Sequence, residues 1–278
     1  MRFTDNPLFI NTVILGGTPE EKIQAAAQAG FSQIELWRQD VQAAKLNAAG
    51  VAGLLDEENL TLTDYQVLLD FDGAPVKSRQ SKRREALLML DTAVALGAST
   101  LLTPASTADD CIAEREEDDI RWLVKEAAKR GLRVALEAMA WSTHISDTAA
   151  AWRMVKRIDQ PNLGLVVDAF HIFVRKRGVE DLAGIPVDKI FLVQLSDLSE
   201  LPPEKALVAT ARHERLLPGE GIFPLHTLLD YLDAKGYCGP LGLEVFNDNL
   251  QRRPAADVAK EAMSALKSCW SRARSQPI

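Results

Sequence analysis

Short apolar runs alternate with longer amphipathic ones along the whole chain. FINTVIL is followed by PEEKIQAAAQAG and then by FSQIELW, and the alternation continues to the C-terminus. That is the rhythm of strand–helix units. Six further runs, LTLTDYQ, STLLTP, LRVALEA, LGLVVDA, KIFLVQLS and LGLEVF, bring the strand candidates to eight. Each is short, rich in Val, Leu and Ile, and apolar on both faces, as parallel strands covered by helices must be. Helical spacing is clearest in SKRREALLMLDTAVALGA, EEDDIRWLVKEAAKRG and DTAAAWRMVKRID. The glycines of AGF, LGAS, RGL and KGY stand where helices should end and return to strands. Eight such units predict an α/β fold, a (β/α)8 TIM barrel, as a single domain over residues 1–278, because no Pro/Gly/Ser-rich linker interrupts the pattern. A doubly wound open sheet fits less well. No GxGxxG follows the first strand, and polar residues end many strands instead of gathering at one switch point.

In a barrel the chemistry sits at the C-terminal ends of the strands. The polar residues that end the apolar runs are Glu35, Gln66, Glu137, Asp168, Gln194 and Glu244. The last four fall on the last four strands and supply three carboxylates and an amide carbonyl. Such hard oxygen donors suit a divalent ion of the Mg, Mn or Co kind better than a thiolate metal. Without a cation, carboxylates converging there would repel one another and take up protons. Any one of them alone reads as a polar residue where a strand meets solvent; four on consecutive strands read as a metal site. Glu35 and Gln66 stand between supporting and structural roles. His171 lies three residues past Asp168, and His144 follows Trp141, a candidate apolar wall. RHERLLPGEG adds Arg212, His213 and Arg215, and a guanidinium there can clamp an anionic or enediolate oxygen. His226, inside LHTLLDYL, reads as structural.

Composition narrows the partners. The chain is 47% hydrophobic and 26% charged, which suits a globular core, and its net charge of -7 has no basic stripe to bind nucleic acid. A small molecule is the expected partner. No apolar run reaches the roughly 18–20 residues of a membrane span, and the first residues lack the ordered regions of a signal peptide, so a cytoplasmic protein is expected. Cys111, Cys238 and Cys269 are far apart with no CxxC pair, and are read as inert small hydrophobes.

With these residues in view, the sequence resembles the xylose isomerase-like barrel superfamily of sugar isomerases, epimerases and dehydratases over nearly its whole length. Within it the chain is most similar to bacterial 3-dehydroshikimate dehydratases, through LEAMAWSTHI, QPNLGLVVDAFH, DKIFLVQLSD, RHERLLPGEG and GPLGLEVFND. The resemblance implies metal ligation by Glu137, Asp168, Gln194 and Glu244 and substrate contacts from His144, His171 and Arg215. It implies dehydration of 3-dehydroshikimate to protocatechuate through a metal-stabilised enolate, with His171 as first choice for general base, His144 orienting or protonating, and Arg215 on the enolate or leaving oxygen. The second reading is a sugar or keto-sugar isomerase or epimerase in which Glu137 and Glu244 trade a proton across an enediolate. A non-catalytic binding barrel and an endonuclease of abasic DNA fit less well, the first because the ligand set is complete and the second because the chain is acidic and poor in His. A dimer or tetramer would agree with the resemblance. The chain departs from it at Leu69, where related dehydratases carry Arg before DFEG; Arg212, Arg215 and Lys77 are the cations left to meet a substrate carboxylate.

Overall fold

Eight parallel strands close on themselves in sequence order, β1 to β8. This computed structural model describes residues 6–273, so the outermost residues of the 1–278 domain expectation lie outside the described residues. The strands are β1 (Leu8–Asn11), β2 (Gln33–Trp37), β3 (Thr61–Gln66), β4 (Thr100–Pro104), β5 (Arg133–Glu137), β6 (Leu163–Asp168), β7 (Ile190–Leu195) and β8 (Leu241–Leu243). The helices are α1 (Pro19–Gln28), α2 (Arg38–Ala43), α3 (Ala48–Glu57), α4 (Val76–Ala95), α5 (Ala113–Ala128), α6 (Thr148–Ile158), α7 (Ala169–Phe173), α8 (Leu207–His213), α9 (Leu225–Ala234), α10 (Asp248–Gln251) and α11 (Ala255–Ala273). Closure excludes the open sheet.

Local chemistry explains where the helices begin and end. Thr18 and Glu21 form a reciprocal capping box at α1, worth about 1 kcal/mol. In α6, Ala151, Met154, Val155 and Ile158 recur at helical spacing and are buried, while the Asp147 side chain accepts from Ala150 N at the start. Gly97 and Gly131 take φ of +75° and +70° just after α4 and α5, where a side chain would be strained.

The strands are shorter than the apolar runs that announced them. FINTVIL leaves the sheet after Asn11 and continues as a 3-10 turn, Thr12–Ile14, because the Asn11 side chain accepts from Val13 N. LGLEVF leaves the ladder after Leu243, although Glu244 N still donates to Leu195 O at 3.2 Å.

Period two along the strands builds the barrel interior. Phe9, Ala135, Val166, Leu192 and Gly242 lie two residues before Asn11, Glu137, Asp168, Gln194 and Glu244. Four of them, Phe9, Ala135, Val166 and Leu192, join Leu102 and Phe191 in a small apolar cluster separate from the main core. Gly242 makes room for this packing: a Cβ there would lie 2.2 Å from Phe9 O. Site residues therefore stand as one polar layer directly above an apolar one. Among the described residues no helix is long and apolar enough to cross a membrane.

Candidate active site

Strand register brings the polar strand ends together. Asp168 pairs with Gln194 across β6 and β7, and Gln194 with Gly242 across β7 and β8. The Gln194 amide donates to Glu35 Oε1 at 2.9 Å and Oε2 at 3.2 Å, and to Glu244 Oε1 at 3.4 Å. That fixes its Nε2 as the donor end and leaves Oε1 buried without a partner. Asn11 donates to Glu244 Oε1 at 3.1 Å. Arg215 Nη1 donates to Asp168 Oδ2 at 3.0 Å and Glu244 Oε2 at 3.2 Å, while its Nε donates to Ala211 O at 2.9 Å. The guanidinium is also stacked over Phe170, with its carbon 4.3 Å from the ring centroid.

Five buried carboxyl groups share this layer with one guanidinium. Burial, then the Asp64 and Glu244 charges, push Glu35 well above the usual carboxylate range. Burial pushes Asp64 up to about 7 and Glu244 up to about 8, with Arg215 holding Glu244 back. Glu137 is driven well above the usual range by burial and then by Glu244 and Asp168, and Asp168 is raised by burial against the pull of Arg215. The excess of negative charge is what a divalent cation would relieve. Two buried oxygens with no partner, Glu137 Oε1 and Gln194 Oε1, offer it donor atoms directly. Glu137, Asp168, Gln194 and Glu244 thus fit a divalent metal by donor chemistry, and Glu137 and Gln194 also by an unpartnered oxygen.

A cavity of about 410 Å³ opens over this layer, lined by Glu137, His171, Arg215 and Glu244 and walled by Trp37, Met139, Trp141 and Phe246. Trp37 and Phe246 meet edge to face at 5.5 Å, and Trp141 lies 5.1 Å from the His171 ring. Gln66, with neither side-chain polar atom partnered, and Leu69, 45% exposed, complete one rim. Arg212 and His213 form another; His213 pairs with Asp248 at 3.0 Å, whereas Arg212 has no ion pair or hydrogen bond from its side chain among the described residues.

His171 needs a different role from the one expected. Ala140 N donates to its Nδ1 at 3.0 Å, so a neutral ring carries its proton on Nε2, 3.6 Å from both Glu137 Oε1 and Asp168 Oδ2. Burial, then Arg215 and Arg175, push its pKa well below the ordinary value and keep it neutral. A ring held this way donates at Nε2 and does not serve there as a general base. His144 does not line the cavity; its Nδ1 lies 2.6 Å from Glu116 Oε1. Lys77 is also absent from the cavity lining and pairs with Asp110 at 3.1 Å on the surface. His226 is exposed on α9 and does not line the cavity. Of the cysteines only Cys269 is a buried hydrophobe; Cys238 is exposed and Cys111 lies among polar groups.

Three residues of the site were not anticipated. Asn11 holds Glu244, Asp64 faces Glu35, and Glu116 holds His144. Asn11 does obey the strand-end pattern, but the apolar TVIL that follows disguises the end of its strand.

A family model described as xylose isomerase-like TIM barrel matches residues 23–269. The 3-dehydroshikimate dehydratase of Pseudomonas aeruginosa is 35% identical over 259 residues, which is 92% of this chain and 40% of that protein. The chain therefore spans about two-fifths of the length of that relative. A solved structure described as a xylose isomerase-like TIM barrel/4-hydroxyphenylpyruvate dioxygenase fusion protein superposes with a TM-score of 0.92 at 31% identity, covering 97% of this chain and 43% of that one. The IolI protein with a bound zinc atom shares the fold, with a TM-score of 0.86 at 19% identity over 97% of this chain and 100% of that one.

Proposed function

The chain belongs to the xylose isomerase-like TIM barrel family, and on that premise we propose that it is a divalent-metal-dependent lyase, acting in the cytoplasm, that dehydrates 3-dehydroshikimate to protocatechuate. The observation that carries the reading is a layer of inward oxygen donors, two with bare buried oxygens, beneath an aromatic-walled cavity with an unpaired guanidinium at its rim. Flat apolar walls suit a carbocyclic ring, and Arg212 suits the ring's carboxylate.

Glu137, Asp168, Gln194 and Glu244 would hold the cation, Mn, Mg or Co. When bound it supplies Lewis-acid polarisation of the substrate ketone. His144 is the general base in this reading: with the Glu116 carboxylate accepting from Nδ1–H, its Nε2 keeps a free lone pair for the proton alpha to the ketone. His144 lies three residues past the wall residue Trp141, on the loop that borders the cavity. His171 Nε2–H and Arg215 donate to the developing oxygen charge. The beta hydroxyl leaves, the abstracted proton departs with it as water, and tautomerisation completes the aromatic ring. Arg212 holds the carboxylate throughout.

Metal-reconstituted protein supplied with 3-dehydroshikimate is expected to produce the ultraviolet absorbance of protocatechuate. No aromatic product with Mn²⁺, Mg²⁺ or Co²⁺ between pH 6 and 9, under roughly the range where His titrates, would refute the assignment. Leu69 in the cavity lining favours the second reading, an isomerase or epimerase of an uncharged keto-sugar, because it presents an apolar group where a carboxylate needs a cation. Solvent-deuterium incorporation into a ketose without dehydration would establish that reading instead.

A further inference from the structure

A second set of ligand types converges away from the oxygen layer. Cys111, Glu116 and His144 each present one donor atom, and all three atoms lie within 4.8 Å of one another. Cys111 Sγ is 3.4 Å from Glu116 Oε1, and His144 Nδ1 is 2.6 Å from the same oxygen. Glu116 is buried in the first turn of α5, so its carboxylate is fixed, while His144 stays 29% exposed at the side chain and open to solvent.

The loops that carry these groups are held in place without an ion. Cys111 Sγ donates to Asp72 O at 3.5 Å, and Ile112 N donates to Gly73 O at 2.8 Å. Gly73 has φ of +67°, and a Cβ on it would lie 2.5 Å from Cys111 Sγ, so only glycine lets this backbone pass so near the sulfur. Asp72 Oδ2 is buried there without a partner, a further uncompensated oxygen beside the cluster.

We infer that Cys111, Glu116 and His144 form a second cation site, selective for Zn²⁺-like ions and chemically distinct from the oxygen-donor centre. A thiolate, an imidazole and a carboxylate make a borderline-soft donor set that favours Zn²⁺ over Mg²⁺ or Mn²⁺. Zinc–ligand bonds of about 2.0–2.3 Å place tetrahedral donors roughly 3.3–3.7 Å apart. The Cys111–Glu116 separation already meets that spacing. The His144–Glu116 hydrogen bond must open by less than about 1 Å, which the exposed imidazole can do, and water completes the coordination. In the metal-free protein burial pushes the Cys111 thiol up to about 12, so binding expels its proton.

Occupancy would take His144 away from the substrate, making the site inhibitory; that consequence rests on the base assigned to His144 above, whereas binding itself does not. Cobalt reports on the site directly through thiolate-to-metal charge-transfer absorbance in the near ultraviolet. Titration of the metal-free full chain with Co²⁺ is expected to give a saturable band that Cys111→Ser abolishes and Asp168→Asn retains. Absence of the band in the wild type, or its persistence in Cys111→Ser, overturns the proposal. Should Cys111→Ser fail to fold, Glu116→Gln keeps the test open: it should weaken the Co²⁺ transition giving the band by more than about tenfold, and an unchanged affinity refutes the site. Excess Zn²⁺ should inhibit the wild type and spare Cys111→Ser. If the band is present and inhibition is not, the cation site stands and the base role of His144 falls.

Discussion

Titrating the metal-free protein with Mn²⁺ at pH 7 should release about two protons for each ion bound at the oxygen-donor centre. Two of the four ligands hold protons when no cation is present: Glu244, which burial pushes up to about 8, and Glu137, which burial and the neighbouring carboxylates push well above the usual range. A carboxyl of pKa 8 is about 90% protonated at pH 7, and both groups must be ionised to ligate. Arg215 reaches Asp168 and Glu244 at 3.0 and 3.2 Å, and among the described residues Glu137 forms no ion pair with an arginine or lysine. The stability of the metal-free protein carries the same signature with a definite sign. Both folded pKa values lie above the unfolded reference of 4.5, so the folded chain binds more protons than the unfolded one from about pH 4.5 to 8. Stability is then greatest at the acid side and falls as pH rises, by about 1.4 kcal/mol per pH unit for each group still protonated, and Glu35 and Asp64, also raised by burial, add to the decline. Saturating metal should lessen that decline. Calorimetric titration in two buffers of different ionisation heat counts the protons, and melting curves from pH 5 to 8, about the window just derived, follow the stability. Release of fewer than about half a proton per ion, or metal-free stability that rises with pH over that window, would show that the charge excess is not what the cation relieves.

Asp168→Asn keeps the Oδ1 that accepts from Phe170 N at 2.8 Å, so it should fold, but it loses the charge paired with Arg215 and should weaken metal binding at least about tenfold to hundredfold by calorimetry. Stoichiometric tight binding by that variant at the oxygen-donor centre would mean that the centre is elsewhere. Gln194→His should retain metal, because imidazole is also a ligand, and metal content after gel filtration checks it. Arg212→Met should raise KM for 3-dehydroshikimate about tenfold with a smaller change in kcat, since a charge-assisted contact is worth about 1.5 kcal/mol, and Leu69→Arg added to it should restore much of the loss. Unchanged kinetics on that acid in both variants would remove Arg212 and position 69 from substrate recognition.

The barrel and its layer of oxygen donors were legible in the sequence for one physical reason. A strand buried on both faces can carry a polar side chain only where it ends, so Glu137, Asp168, Gln194 and Glu244 stood out against apolar runs. The same contrast failed where an apolar run outlasted its strand, at Asn11, and where a carboxyl sat within a strand, at Asp64. Roles were harder to read than positions, because a role depends on partners that leave no mark of their own. His171 was placed correctly in the cavity, but its tautomer is set by the backbone N–H of Ala140, which any residue other than proline would supply. His144 stands on a loop, and its defining partner Glu116 lies 28 residues away in a separate helix. Glu116 and Asp119 are the buried acids of that helix, and Cys111 shares the Glu116 oxygen. Charge pattern along a helix gives the average face; which acids turn inward is decided by the loops and helices packed over it, here the Cys111 loop at Glu116 and Arg79 of α4 at Asp119.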